Sequence, residues 1–202
     1  MIAALYVETG GCYFGLPGVD PWDETRDARF YRGPWPVVGH PDCKRWGQYA
    51  TSHPILGPGV YKLGDDGGCF ASFLVSLALY GGVGEHPARS KAWKQFGLPR
   101  PVQGEGWIRQ GALAVCHVEQ GHYGHFANKP SWLVACGVEL PELDWSKGEQ
   151  RIHPVALAKH GYEKARRIGM MAMVGGKDKT KIRNATPPEF RDILIQMART
   201  AA

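Results

Sequence analysis

The apolar run Val37-Val38-Gly39 is cut off by His40-Pro41-Asp42-Cys43, and this abrupt stop constrains the fold more than any other segment. A strand that ends at a turn holds its last side chains at the edge of a sheet. In an open α/β fold, ligands bind in the crevice beyond such ends. A thiol there is placed for chemistry. Taken alone, the same residue reads as readily as a small buried hydrophobe, since free Cys is among the most buried residue types. What separates the two readings is the company downstream. Gly84-Glu85-His86-Pro87 follows, then Tyr123-Gly124-His125 through Trp132, then Arg183-Asn184-Ala185-Thr186-Pro187-Pro188.

The rest of the pattern places that strand in a sheet. Met1–Val7 reads as a first strand ending at the turn Glu8-Thr9-Gly10-Gly11. Leu16–Trp22, punctuated by Pro and Gly, reads as irregular. Asp23–Tyr31 is expected to be a short helix, Pro36–Gly39 the second strand, and residues 47–64 a loop. Gly68–Tyr80 is the best helix, apolar nearly all round and therefore expected to be buried. Val83–Glu85, Leu113–Glu119 and Ser131–Cys136 read as further strands, with Ala88–Phe96 a surface helix. The last helix is signalled by Thr186 as N-cap, Pro187 at the first helical position and Phe190, Ile193, Leu194 and Met197 on one face. Strands alternating with helices predict one α/β domain over residues 1–202, Rossmann-like, with a mostly parallel sheet flanked by helices. Residues of about 145–183 form a small basic lobe.

Composition narrows the function classes. There is no apolar run near 18 residues, which excludes a membrane helix. The five cysteines are odd in number and widely spaced, and Met1–Val7 lacks the basic start of a secretory signal. Reduced thiols and a cytoplasmic location are the expectation. Residues 151–202 carry 11 Lys/Arg against 4 Asp/Glu, so the net charge of +5 resides in the C-terminal quarter. Such asymmetry points to an anionic partner, with nucleic acid first, or to a solvated basic surface. Lys44, Arg45, Lys177, Lys179, Lys181 and Arg183 are the candidate phosphate contacts.

Taken in order, these blocks resemble a reduced version of the cytosine-C5 DNA methyltransferase family, closest to small phage-type members lacking its large target-recognition region. Val7-Glu8-Thr9-Gly10-Gly11 is similar to the loop that cradles the methionine part of S-adenosylmethionine. His40-Pro41-Asp42-Cys43 resembles the Pro-Cys block that supplies the nucleophile, and Glu85-His86-Pro87 resembles the Glu-Asn-Val block. Asn128-Lys129 before Trp132–Ala135 looks like the block whose basic residues support the target base. Asn184-Ala185-Thr186-Pro187-Pro188 is similar to the C-terminal block that packs beside the cofactor. The resemblance implies that Cys43 attacks C6 of cytosine, Glu85 holds N3, and Lys129 supports the exocyclic edge or a phosphate. It also implies DNA as partner, and S-adenosylmethionine bound by Glu8, Thr9, Gly10, Gly11 and Asn184. Asp20 or Asp23 would take the ribose hydroxyls, with Trp22 against adenine.

The residue types suit that chemistry. A thiolate added at C6 turns the ring into a carbon nucleophile, and a carboxyl group at N3 stabilises the developing charge. Three departures stand out. Asp42 replaces proline and is expected to raise the thiol pKa. His86 stands where Asn is usual. Gly11–Cys43 is short for a full helix plus two strands. Two rival readings use other features. One is a zinc site drawn from His40, Cys43, Cys116, His117, His122 and His125. The other is a catalytically inactive Rossmann-like module that binds DNA or protein through the basic quarter.

Overall fold

In the computed structural model, which describes residues 1–53, 55–148, 151–168 and 178–201, one seven-stranded sheet organises the chain. Its strands are β1 (Ile2–Leu5), β2 (Val19–Trp22), β3 (Val37–Gly39), β4 (Gly82–Pro87), β5 (Ile108–Gln110), β6 (Leu113–Glu119) and β7 (Pro130–Cys136). The spatial order is β2-β1-β3-β4-β7-β6-β5. The first four strands are mutually parallel, while β7 runs antiparallel to both β4 and β6, and β5 antiparallel to β6. The architecture is thus α/β with a mixed sheet, flanked by helices.

Strand burial follows from coverage on both faces. Every residue of Ile2-Ala3-Ala4-Leu5 is buried, the near-continuous apolar pattern of a strand packed on two sides. Alternate residues enter different cores. Ile2, Ala4, Val38 and Val83 join Phe190, Leu194 and Met197 on one face. Ala3, Leu5 and Val37 join Phe70, Phe73 and Leu77 on the other. The first face is covered by the amphipathic C-terminal helix, Pro188–Arg199. The second is covered by α1 (Cys69–Tyr80) and, beyond it, by α2 (Lys91–Gln95). The ring of Phe73 lies directly on paired glycines of β3 and β4. A Cβ on Gly39 or Gly84 would come within 2.2 or 2.1 Å of that ring.

Several expectations are corrected. Val19–Trp22 is not irregular but a parallel edge strand. Pro21 is tolerated because the carbonyls of Gly18 and Trp22 face β1, which turns the nitrogen of residue 21 outward. The expected helix over Asp23–Tyr31 is reduced to one 3-10 turn, Ala28–Phe30. Asp23 instead folds its carboxylate back onto the amides of Thr25 and Arg26. Helix α1 is not buried all round: Val75 and Leu79 are 59% and 67% exposed, because the sheet covers only one side of it. The last helix starts one residue late. Pro188 forces Pro187 into extended geometry (ψ 145°), so Pro187 takes the cap position and Thr186 falls outside.

Three short helices occupy the region left unassigned in sequence: α3 (Pro154–His160), α4 (Tyr162–Ile168) and α5 (Asp178–Asn184). The C-terminal helix is therefore α6. Part of the expected basic lobe, residues 149–150 and 169–177, lies outside the described residues. Among the described residues, no helix is long and apolar enough to cross a membrane.

Candidate active site

A cleft of about 880 Å³ opens beyond the carboxyl ends of β1, β3 and β4. Strand order reverses at β1, which has β2 on one side and β3 on the other. Such a switch point leaves a crevice above the sheet. Cys43 and Glu85 both line this cleft, together with Lys129. The antiparallel direction of β7 explains the third member. Ser131 pairs with Pro87, so the start of β7 lies at the sheet edge where β3 and β4 end.

Glu85 is 8% exposed and held from three directions. Its Oε1 accepts from Ser131 Oγ at 2.5 Å and from Gln120 Nε2 at 3.1 Å. Its Oε2 lies 3.3 Å from His40 Nδ1. Burial pushes the Glu85 pKa up, but the His40 hydrogen bond, the Lys129 charge and Ser131 outweigh it and bring it down to about 2. Glu85 is therefore ionised at neutral pH. The Cys43 thiol is raised, first by burial, then by the carboxylates of Glu85 and Asp42, with Lys129 acting against them. That is the direction Asp42 was expected to impose. Cys43 therefore rests as a thiol.

Lys129 has a second task. Its Nζ donates to the carbonyls of Asn184 and Ala185 at 3.0 and 2.7 Å, closing the C-terminal end of α5 over the cleft. Burial lowers its pKa, while Glu85 and Cys43 raise it. An ammonium has three N–H donors, so one remains for a ligand. Asn184 borders the cleft, and its carbonyl is one of the two that Lys129 holds. Lys181 lines the same wall.

The β2 side of the cleft carries most of its acids. Glu8 and Gly11 line it, as do Asp23, Glu24 and Asp27, the last paired with Arg29, which also lines it. The loop after β1 turns tightly: a Cβ on Gly11 would lie 2.8 Å from the Glu8 carbonyl. Thr9 and Gly10 do not line the cleft; Thr9 Oγ1 donates to Asp23 Oδ2 at 2.7 Å and ties the loop to the end of β2. That hydrogen bond, ahead of other causes, lowers the Asp23 pKa.

Other candidates are placed elsewhere. Asp20 pairs with Arg26 and accepts from Trp22 Nε1 at 2.8 Å, and Trp22 carries the Arg26 guanidinium 4.1 Å from its ring centre. Neither residue lines the cleft, so Asp23 replaces Asp20 as the acid at the end of β2. Lys44 lies on the rim, whereas Arg45 stacks 3.4 Å over the Tyr61 ring. Arg183 is exposed and does not line the cleft. Lys177 lies outside the described residues, and Lys179 is described only as part of α5.

Of the residues in the zinc reading, His40 and Cys43 share the cleft, but the others do not join them there. Cys116 is in the core, His117 accepts from Trp132 Nε1, and His122 pairs with Asp144 at 3.2 Å. Among the described residues, no group of three or more His, Cys, Asp or Glu is arranged to hold a metal. Sequence reasoning missed Tyr13, Gln120 and Ser131. Ser131 and Gln120 do carry a signal: each is a polar residue at the end of an apolar strand. No family model matches the chain, and no curated protein or solved structure matches it.

Proposed function

We propose that this chain modifies cytosine in DNA at C5 using S-adenosylmethionine, as a Rossmann-like methyltransferase-type enzyme with Cys43 as nucleophile. One observation carries the reading: a thiol in the loop after β3 and a buried, ionised carboxylate on the neighbouring parallel strand β4 line one cleft at a strand-order switch point. Attack forms the Sγ–C6 bond. The thiol gives up one proton and N3 of the ring gains one, so the adduct acquires no net charge. Glu85 is the base for that exchange, taking the thiol proton on Oε2 and returning it to N3. After substitution, the C5 proton is lost to water as the Sγ–C6 bond breaks and the C5–C6 double bond is restored, and the reverse exchange through Glu85 carries the N3 proton back to sulfur. The third N–H of Lys129 supports the exocyclic edge of the base or a neighbouring phosphate.

The acidic end suits the methyl donor, whose sulfonium and ammonium groups are cationic. When bound, S-adenosylmethionine supplies an electrophilic methyl group. Glu8 with the Gly11 turn would hold its amino-acid part, and Asp23 its ribose hydroxyls. For duplex DNA the target base must leave the stack, at a cost of a few kcal/mol. Lys44 and Lys181, on the rim, are the cations available to phosphates.

The test is incubation with tritiated S-adenosylmethionine and unmodified DNA, comparing wild type with Cys43→Ser. The expected result is label in DNA with wild type alone. Transfer that survives the substitution removes this mechanism.

One observation favours a second reading. Turns, rather than a helix, connect β1 to β2, which supports an inactive module that binds DNA through its basic quarter. Salt-sensitive DNA binding without any heat stabilisation by S-adenosylmethionine would select it.

A further inference from the structure

The hydrogen-bond chain behind Glu85 has its own chemical logic. Tyr13 is 2% exposed, and its hydroxyl lies 2.8 Å from His40 Nε2. No other acceptor for that hydroxyl occurs among the described residues. Burial, ahead of the neighbouring Cys12 and Glu85, holds the phenol well above its ordinary pKa, so the O–H proton is retained. A buried hydroxyl left without an acceptor is destabilising, so Tyr13 donates and Nε2 accepts. A neutral imidazole accepting at one nitrogen carries its proton on the other. That nitrogen, Nδ1, is the one 3.3 Å from Glu85 Oε2.

The second constraint lies on the carboxylate. Oε1 already accepts from two donors, Ser131 and Gln120. Among the described residues Oε2 accepts only from His40, which leaves it one lone pair. We propose that Tyr13 and His40 form a tautomer-locked pair that makes His40 the positioning residue of Glu85, reserving one lone pair of Oε2 for the nucleobase. His40 is not itself the base in this arrangement, because both of its ring nitrogens are engaged. The inference deepens the cytosine-modification reading and rests on it for the identity of the ligand.

The ionisable groups ranged around the pair come from four elements. Tyr13 and Cys12 belong to the loop after β1, Cys43 to the loop after β3 and Lys129 to the turn before β7. Arg191 and Asp192, from α6, face Tyr13. Any pH profile must be read against all of them.

The experiment begins on the unaltered protein. Nitrogen-15 NMR of His40 is expected to show Nδ1 protonated and Nε2 bare at neutral pH. An Nε2–H tautomer or a doubly protonated ring overturns the proposal. Next, the Glu85 carboxyl is titrated by carbon-13 NMR in His40→Ala, His40→Asn and His40→Gln. The amide nitrogen of Asn occupies the place of Nδ1, whereas that of Gln occupies the place of Nε2. His40→Asn is therefore expected to keep the Glu85 titration low, with Ala and Gln letting it rise toward the ordinary carboxylate range. Identical titrations in Asn and Ala overturn the proposal. In the methyl-transfer assay, His40→Ala is expected to lower kcat roughly a hundredfold, with His40→Asn recovering most of it. Equal losses in Ala and Asn count against the positioning role. If wild type transfers no label, the cytosine reading fails, yet the tautomer and the titrations still decide the pair.

Discussion

The two ends of the cleft are built differently. At the thiol end, Glu85 and its partners are fixed by strand register: Glu85 on β4, Ser131 on β7, Gln120 just after β6, His40 just after β3. At the acidic end, Glu8, Asp23 and Glu24 hang on loops after β1 and β2, and Glu8 and Glu24 are exposed. Backbone ladders hold side chains at the first end to a fixed spacing, as proton exchange requires. The second end is held by local contacts within its own loops: Thr9 donates to Asp23 at 2.7 Å, the Thr25 and Arg26 amides donate to the same carboxylate, and Arg29 pairs with Asp27. The difference teaches where precision resides. In the proposed function, register would supply the chemistry and the loops the binding of the donor.

The comparison can be broken by substitution. Glu85→Gln preserves shape but cannot exchange the proton, so kcat is expected to fall by about 10²–10⁴ in label-transfer assays. An unchanged kcat would place the chemistry elsewhere. Gly84→Ala drives a methyl group against Phe73, 2.1 Å away, and so attacks the register itself. Unfolding by urea should reveal a loss of about 1–3 kcal/mol. Asp23→Asn, at the loop-built end, is expected to raise KM for S-adenosylmethionine about tenfold with kcat nearly unchanged. A large kcat effect there would erase the distinction.

Acid sharpens the contrast. Glu85 is lowered from an ordinary 4.5 to about 2 in the folded chain. Its contribution to stability is therefore complete above the unfolded value and is lost as pH falls toward the folded one. Thermal unfolding of wild type between neutral pH and that range should show a decline that Glu85→Gln flattens. The smallest effect concerns the rim. Lys44→Ala should make the salt dependence of DNA binding shallower by about one ion. Arg45→Ala should leave that slope alone and cost about 0.5–1 kcal/mol of stability, because Arg45 rests on Tyr61.

Much of this molecule was legible before its coordinates. The strands β1, β3, β6 and β7 and the helix α1 are apolar runs bounded by Gly, Pro or polar residues, and they fall close to where those runs do. Strand β2 was hidden because Pro21 reads as a breaker, and only its edge position makes it harmless. Trp46, an aromatic beside the candidate phosphate contacts Lys44 and Arg45, could stack on a base or pack in the core; it is 4% exposed and packs on Phe70 and Phe96. Nothing in its sequence neighbours distinguishes those roles. The same holds for Asp20 against Asp23: Arg26 engages the first, and the turn over Thr25 and Arg26 directs the second to the cleft.

The strands β1, β3, β4, β6 and β7, the thiol after β3 and the carboxylate on β4 are written in the sequence, because local patterning and chain order carry them. The antiparallel insertion of β7, which brings Ser131 and Lys129 beside Glu85, was decided only by tertiary structure. So was the meeting of Tyr13 with His40 across 27 residues. Contacts of that kind depend on which strands become neighbours. Neighbourhood in a sheet is settled by burying both faces at once, a property of the whole chain rather than of any segment.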